Sequence, residues 1–332
     1  MPSRVSLQDH KSVHLIALDF SKAFDTIRHS ALTAKISSFP ISDNVYNWIV
    51  NFLSDRQHQT KTKDSRSDFK FINASIIQGS GLGPVAYIFN ASDLCPAHQS
   101  NLIFKYADDT YLIVPDTHLH TIPLELQRIS DWANRHNLKL NQSKSKEMIL
   151  SLHNGQVSTV TCLTRVESLT VLGVTFNSKL RFDSHIAHII NKAARTLYGL
   201  KTLRAHGLTG QSLWDVTRAT LIAQILYAAP AWWGFLSMAE KDHLQSVIRK
   251  SKRYGFLPGN FQNACDIVET LETNLFRSVC ANPQHVLFLL LPPEKATGYN
   301  LRQRSHHLTL PQIGNNFIRK NFLYRMLFKD SY

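Results

Sequence analysis

The sequence predicts an α+β domain followed by a mostly helical one. Three observations carry that expectation. Residues 13–20 form a short, nearly continuous apolar run ending in an acidic residue, an Asp-Asp pair near residue 108 sits between two β-prone runs, and beyond about residue 160 the apolar residues recur mostly at helical spacing.

The first run, Val-His-Leu-Ile-Ala-Leu-Asp-Phe, suits a strand covered on both faces, with Asp19 at its end. Ser21 can cap a helix in which Ala23, Phe24, Ile27 and Ala31 recur at helical spacing, so one strand-to-helix turn carries Asp19 and Asp25. A second helix is expected over 43–53, and the polar stretch 54–68 reads as a hairpin or loop. Residues 102–105 and 110–114 are β-prone and place Tyr106-Ala107-Asp108-Asp109 at a hairpin tip. Ile122, Leu126, Ile129 and Ala133 mark a further helix before 138–141.

In the second half, Ile186, Ile189, Ile190, Ala193, Leu197 and Leu200 form one apolar stripe, with Lys192, Arg195, Lys201 and Arg204 on the polar face. Helices are expected over 212–227 and 239–254, with a break at Leu257-Pro258-Gly259 and a small C-terminal region after it. Residues 219–239 lack charge and are long enough to span a bilayer. Gln224, Pro230 and Gly234 interrupt them, however, and Trp232 and Trp233 sit well inside one end, which favours a buried helix and turn over a membrane helix.

With 332 residues and 43% apolar composition, the chain can bury one large core or two smaller ones. Four dispersed cysteines without a CxxC pair argue against a disulfide framework or zinc ribbon and for a reducing compartment. Cys280, His285, His306 and His307 match no standard zinc spacing. Residues 1–14 hold no apolar core of the secretory kind, so export is not expected. The net charge of +13 is uneven: residues 1–150 hold 16 basic and 14 acidic side chains, and 151–332 hold 21 and 10. Such a basic half fits a polyanion partner, because each phosphate neutralised releases condensed counterions; a solvated basic surface is the alternative.

The chemistry lies in Leu18-Asp19-Phe20 and the Asp108-Asp109 tip, two strand-borne carboxylate sets that can face each other. Nucleotidyl transfer needs such a pair of sets, to hold two Mg²⁺ ions roughly 3.5–4 Å apart on hard oxygen ligands. Solvated turns also carry Asp-Asp pairs, and spacing alone leaves both readings open.

Read together, LDFSKAFDTIRH (18–29), QGSGLGP (78–84), YADDT (106–110), LNQSKSKEM (140–148) and LGVTFNSKL (172–180) resemble the five ordered motifs of non-LTR retrotransposon reverse transcriptases, above all the jockey-like group. The resemblance covers nearly the whole chain. It implies a reverse-transcriptase palm, an antiparallel sheet with packed helices, over 1–160, motif E and a helical thumb over 161–257, and a small region over 258–332. Asp19, Asp108 and Asp109 would then bind two Mg²⁺ ions, or Mn²⁺, with the backbone carbonyl of Phe20 beside them. Phe24 matches the steric gate that selects dNTPs, and Gln78, Gly79 and Ser80 match the loop against the incoming nucleotide. Gly83-Pro84 would open the next helix, and Lys144 matches a proton donor to pyrophosphate. Leu172-Gly173 would sit near the primer grip. Lys192, Arg195, Lys201 and Arg204 would contact nucleic acid.

Three departures from the family pattern stand out. Ser75-Ile76-Ile77 replaces Gly-Val-Pro, Ser92-Asp93-Leu94 replaces Asn-Asp-Leu, and only 18 residues precede Asp19 where relatives carry a fingers subdomain. The expected activity is RNA-directed DNA synthesis from an RNA template, a DNA primer and dNTPs, weak or undetectable in residues 1–332 alone for want of the fingers, in the nucleus or cytoplasm and without stable membrane association. The alternative is a decayed or repurposed remnant that binds nucleic acid without catalysis. The sequence is silent on oligomeric state.

Overall fold

Strand β1 (Ser12–Leu18) is buried at six of its seven positions, as its continuous apolar run requires. The computed structural model describes residues 10–77, 79–151, 161–295, 306–312 and 317–329, and the chain divides into two units, residues 1–167 and 168–332. In the first unit β1 is followed by the two-residue strand β2 (Phe20–Ser21) and helices α1 (Ala23–Thr26), α2 (His29–Ile36) and α3 (Asp43–Leu53). A small hairpin, β3 (Gln57–His58) with β4 (Lys70–Phe71), precedes helix α4 (Gly83–Ala91), which has proline in its first turn. Next come β5 (Leu102–Tyr106), β6 (Asp109–Pro115), α5 (Ile122–Arg135), β7 (Lys139–Leu140), β8 (Lys146–Ser151) and β9 (Thr164–Arg165).

The main sheet has the order β5-β6-β1-β8-β9 and is antiparallel except between β8 and β9. Ile16 and Leu18 of β1 share one core cluster with Leu32 and Ile36 of α2, Ala86 and Tyr87 of α4, and Ile129 and Trp132 of α5. The α+β architecture is thus the expected one.

The helix expected from Ser21 onward is broken. Lys22 starts α1 in the left-handed region (φ 51°), and Ile27 then leaves helical space (ψ 120°). The reason is a competing set of partners. Ile76 N–H donates to Phe24 C=O (2.7 Å), Ser75 N–H to Ile27 C=O (2.9 Å), and His29 N–H to Asn73 C=O (2.8 Å). These bonds tie the turn after Asp19 to the segment leading into α4. Ser75 adopts φ 97°, a conformation strain-free only for glycine, and it stands where the family pattern has glycine.

The second unit opens with β10 (Ser168–Val171) and β11 (Val174–Asn177). Leu172 (φ 46°) and Gly173 (φ 83°) join them, both positive as a type I′ turn demands. Helix α6 (Asp183–Ala205) follows, then α7 (Gly210–Thr217), a π turn, α8 (Ala223–Leu226), α9 (Ala229–Trp232), α10 (Met238–Arg253), α11 (Ala264–Ala281) and α12 (Phe322–Leu327). Ile186, Ile189, Ala193, Leu197 and Leu200 of α6 pack with Trp232, Leu244 and Ile248. Phe276, Phe322, Leu323, Met326 and Leu327 make a separate cluster.

The uncharged stretch 219–239 is several short elements, because Tyr227 (ψ 124°) and Ala228 (φ 51°) break it. Among the described residues no helix is long and apolar enough to cross a membrane. Gly234 interrupts it for a packing reason: a Cβ there would lie 2.1 Å from the Lys320 carbonyl oxygen.

Candidate active site

Leu18 pairs with Thr110 across β1 and β6. One step further along the same register, Asp19 comes beside Asp109. Asp109 in turn pairs with Tyr106, closing a two-residue turn of Ala107 and Asp108. Ala107 takes φ 50° there, at a cost of roughly 1 kcal/mol for a residue with a Cβ. The topology therefore delivers Asp19 and Asp109 from adjacent strands, with Asp108 at the tip between β5 and β6.

Both backbone groups of Asp19 are engaged. Its N–H donates to Ser145 Oγ (3.1 Å), and its C=O accepts from Asn141 N–H (2.8 Å). Ser145 is fully buried and its hydroxyl also donates to Asn141 C=O (2.8 Å). The loop that carries exposed Lys144 is thus anchored on Asp19. Ser145 was not among the expected site residues; only its place in the LNQSKSKEM segment pointed to it.

The electrostatics agree with the placement. Partial burial, then the charges of Asp108 and Asp19, hold the Asp109 carboxyl above its usual range. Burial and then the charge of Asp108 raise the Tyr87 phenol. Among the described residues none of the three carboxylates has a cationic partner within 4.0 Å. Nor are three His, Cys, Asp or Glu side chains already converged as a metal cage. Three hard-oxygen donors that repel one another and lack a counter-charge are a chemically suitable set for a divalent cation.

Phe24 stacks on the ring of buried Tyr87, with centroids 4.9 Å apart and planes at 29°. Since Tyr87 senses Asp108, Phe24 belongs to the same region as the carboxylates. Tyr87 is the second residue not foreseen, because nothing in its spacing from Phe24 relates the two. Phe20 has its side chain buried edge-on to Trp132 (5.9 Å), which leaves only its backbone for a site role.

Gly79 is exposed with φ 81°. The Ser80 hydroxyl donates to Ile77 C=O (2.7 Å) and accepts from Gly83 N–H (3.1 Å), so it shapes the turn into α4. Gln78 lies outside the described residues.

The four basic residues of α6 belong to the second unit and do not share one face, contrary to expectation. At about 100° per residue, Lys192 and Arg195 project away from the buried stripe, Lys201 lies on its opposite flank, and Arg204 falls in line with the stripe beyond its last buried residue, Leu200. Arg204 lies over the Phe256 ring (5.1 Å) and donates to the Tyr254 carbonyl, and Lys201 lies 4.9 Å from the Tyr254 ring centroid. This second pair holds the end of α10, whereas Lys192 and Arg195 are exposed without ion pairs among the described residues.

Residues 3–176 match the family model described as reverse transcriptase (RNA-dependent DNA polymerase). The RNA-directed DNA polymerase from mobile element jockey of Drosophila melanogaster is 31% identical over 196 residues, 54% of this chain and 21% of that protein. The probable RNA-directed DNA polymerase from transposon BS of the same fly is 24% identical over 75% of this chain and 29% of its own length. Among solved structures, apo telomerase from Candida tropicalis aligns with a TM-score of 0.43 at 12% identity, covering 74% of this chain and 42% of that one. The chain spans less than a third of the length of these two curated relatives.

Proposed function

This chain belongs to the reverse transcriptase (RNA-dependent DNA polymerase) family, and from that premise we propose that it carries the nucleotidyl-transfer centre of a non-LTR retrotransposon's RNA-directed DNA polymerase. The observation that carries the proposal is the delivery of Asp19, Asp108 and Asp109 to one end of the sheet, with Asp109 feeling the charges of the other two and none of the three in an ion pair among the described residues.

Reverse transcriptases work with divalent metal ions, and here Asp19, Asp108 and Asp109 would hold them. Two Mg²⁺ ions, with Mn²⁺ able to substitute, would supply the positive charge that activates the primer 3′-oxygen and steadies the leaving pyrophosphate. In the reaction the primer 3′-hydroxyl would give up its proton to water, and its oxygen would bond to the α-phosphorus of a dNTP while the bond to the pyrophosphate oxygen breaks. Lys144, on the loop anchored to Asp19, would give its proton to that leaving oxygen. Phe24, backed by Tyr87, would fill the space a ribose 2′-hydroxyl needs and so admit deoxynucleotides. The turn at Gly79 and Ser80 lets the backbone approach a nucleotide closely. An RNA template and a DNA primer complete the substrates.

Primer extension on an RNA template with dNTPs and Mg²⁺ tests this. Asp108→Asn should cut turnover by a hundredfold or more, roughly the cost of removing one transition-state charge contact, with template binding retained. Wild-type chain that binds the primed template without extending it would favour the decayed-remnant alternative.

A further inference from the structure

Helix α4 begins after the turn at Gly79 and Ser80, carries the buried Tyr87 that stacks on Phe24, and ends at Ala91. A helix leaves its last carbonyls without partners of its own, and they give that end a partial negative charge. Two lysines from other elements serve them here. Lys35 of α2 donates to the Asn90 carbonyl (2.5 Å) and to the Asp93 carboxylate (2.5 Å). Lys105 of β5 donates to the carbonyls of Ala91 (2.6 Å) and Leu94 (2.8 Å). Trp132 Nε1 donates to the same Asp93 carboxylate (2.8 Å), and His136 Nε2 lies 3.8 Å from it.

Lys105 differs from Lys35 in what it joins to the helix. It stands just before Tyr106, inside the carboxylate hairpin itself, and it pairs with Thr110, which pairs in turn with Leu18. One cross-strand row thus links the end of α4 to the strand end that bears Asp19.

Stability does not account for this lysine. Partial burial lowers its pKa, the charges of Asp93 and Cys95 beyond α4 oppose that, and Lys35 on α2 adds to it. When folding depresses a lysine pKa, the charged form is disfavoured in the fold: the penalty is full below the folded pKa, so it is present at neutral pH, and is gone above the unfolded pKa. The two carbonyls could instead turn to water, since β5 is an edge strand and Lys105 is exposed along its stem.

We propose that Lys105 is a positioning residue for sugar selection: by holding the end of α4 on the hairpin, it fixes the Phe24–Tyr87 pair relative to Asp19, Asp108 and Asp109. The inference rests on the polymerase reading for what that spacing selects, though not for the spacing itself. A nucleotide held by its phosphates at the carboxylate end would meet the Phe24 ring with its sugar. A small slip of α4 would then open room for a ribose 2′-hydroxyl.

The test places para-fluorophenylalanine at position 24 of the full chain and follows its fluorine resonance by NMR, with no nucleotide or primer present. Lys105→Met should shift or split the resonance, and Lys105→Arg, which restores a cationic donor, should return it to the wild-type position. Melting by circular dichroism should find Lys105→Met no less stable than wild type at neutral pH. In primer extension, Lys105→Met should lower the ratio of kcat/KM for dNTP over rNTP about tenfold, short of the roughly hundredfold that a misplacement of about 1 Å brings. An unchanged resonance in Lys105→Met would overturn the proposal whether or not primer is extended. So would a changed resonance with an unchanged ratio, and a Lys105→Met chain that melts well below wild type would make Lys105 a structural residue only. Wild-type chain that extends no primer would instead sink the polymerase reading, with the resonance still deciding whether Lys105 sets the ring.

Discussion

Asp109 shows what a single residue contributes here and how it can be tested. Partial burial, then Asp108 and Asp19, raise its pKa above the unfolded value. A raised acid favours folding fully below the ordinary carboxylate pKa, where it is protonated, and that contribution disappears as pH rises through the folded pKa. At neutral pH the first unit is accordingly strained by its own carboxylates, and a bound cation should relieve the strain. Melting followed by circular dichroism should show Mg²⁺ raising the transition at neutral pH and less so at acid pH. Asp109→Asn should raise the metal-free transition and blunt the Mg²⁺ response; a response equal to wild type would place the metal elsewhere. The three aspartates were legible in sequence because each sits at a strand end or a tip. Ser145 and Tyr87 were not, since they act through the Asp19 amide and the Phe24 ring, contacts made across 126 and 63 positions of chain.

Helix α6 shows how far a periodic element can be read. Its apolar stripe was legible residue by residue, because burial on one face imposes the helical repeat directly on the sequence. The use of its cations was not, because a cation near the stripe can turn to solvent or lie on a neighbouring ring, and only tertiary contacts decide. The helix after Asp19 failed for a similar reason: residues 73–76 compete for its backbone. The two pairs of cations on α6 should therefore respond differently. Arg204→Ala should destabilise the chain by about 1–2 kcal/mol, through loss of the Phe256 contact and the bond to the Tyr254 carbonyl. Arg195→Ala, on the exposed flank, should stay within about 0.5 kcal/mol. Urea titration distinguishes them, and equal small effects would mean that the Arg204 contacts do not hold in solution.

Over the whole molecule, charge is divided between the two units just as it is between the sequence halves. Residues 1–167 hold 17 basic and 15 acidic side chains, which leaves 20 and 9 of the chain's 37 and 24 for residues 168–332, a net of +11 on the second unit. The excess was legible from composition, but which cations are free was not, because Lys201 and Arg204 are spent on aromatic and carbonyl contacts within the unit. Phosphate binding by the second unit should then depend on Lys192 and Arg195. Each phosphate neutralised contributes about 0.9 to the slope of log affinity against log salt for duplex ligands. Replacing both residues with Gln should therefore lower the magnitude of that slope by about 2, with little change in preference among sequences. Lys201→Gln should change it less, since its ammonium is already turned to Tyr254. The measurement is a salt titration of primed-template binding across the three chains. If Lys201→Gln flattens the slope as much as the double replacement, the nucleic acid runs along the α10 side of α6, and the division of its cations into structural and binding pairs is wrong.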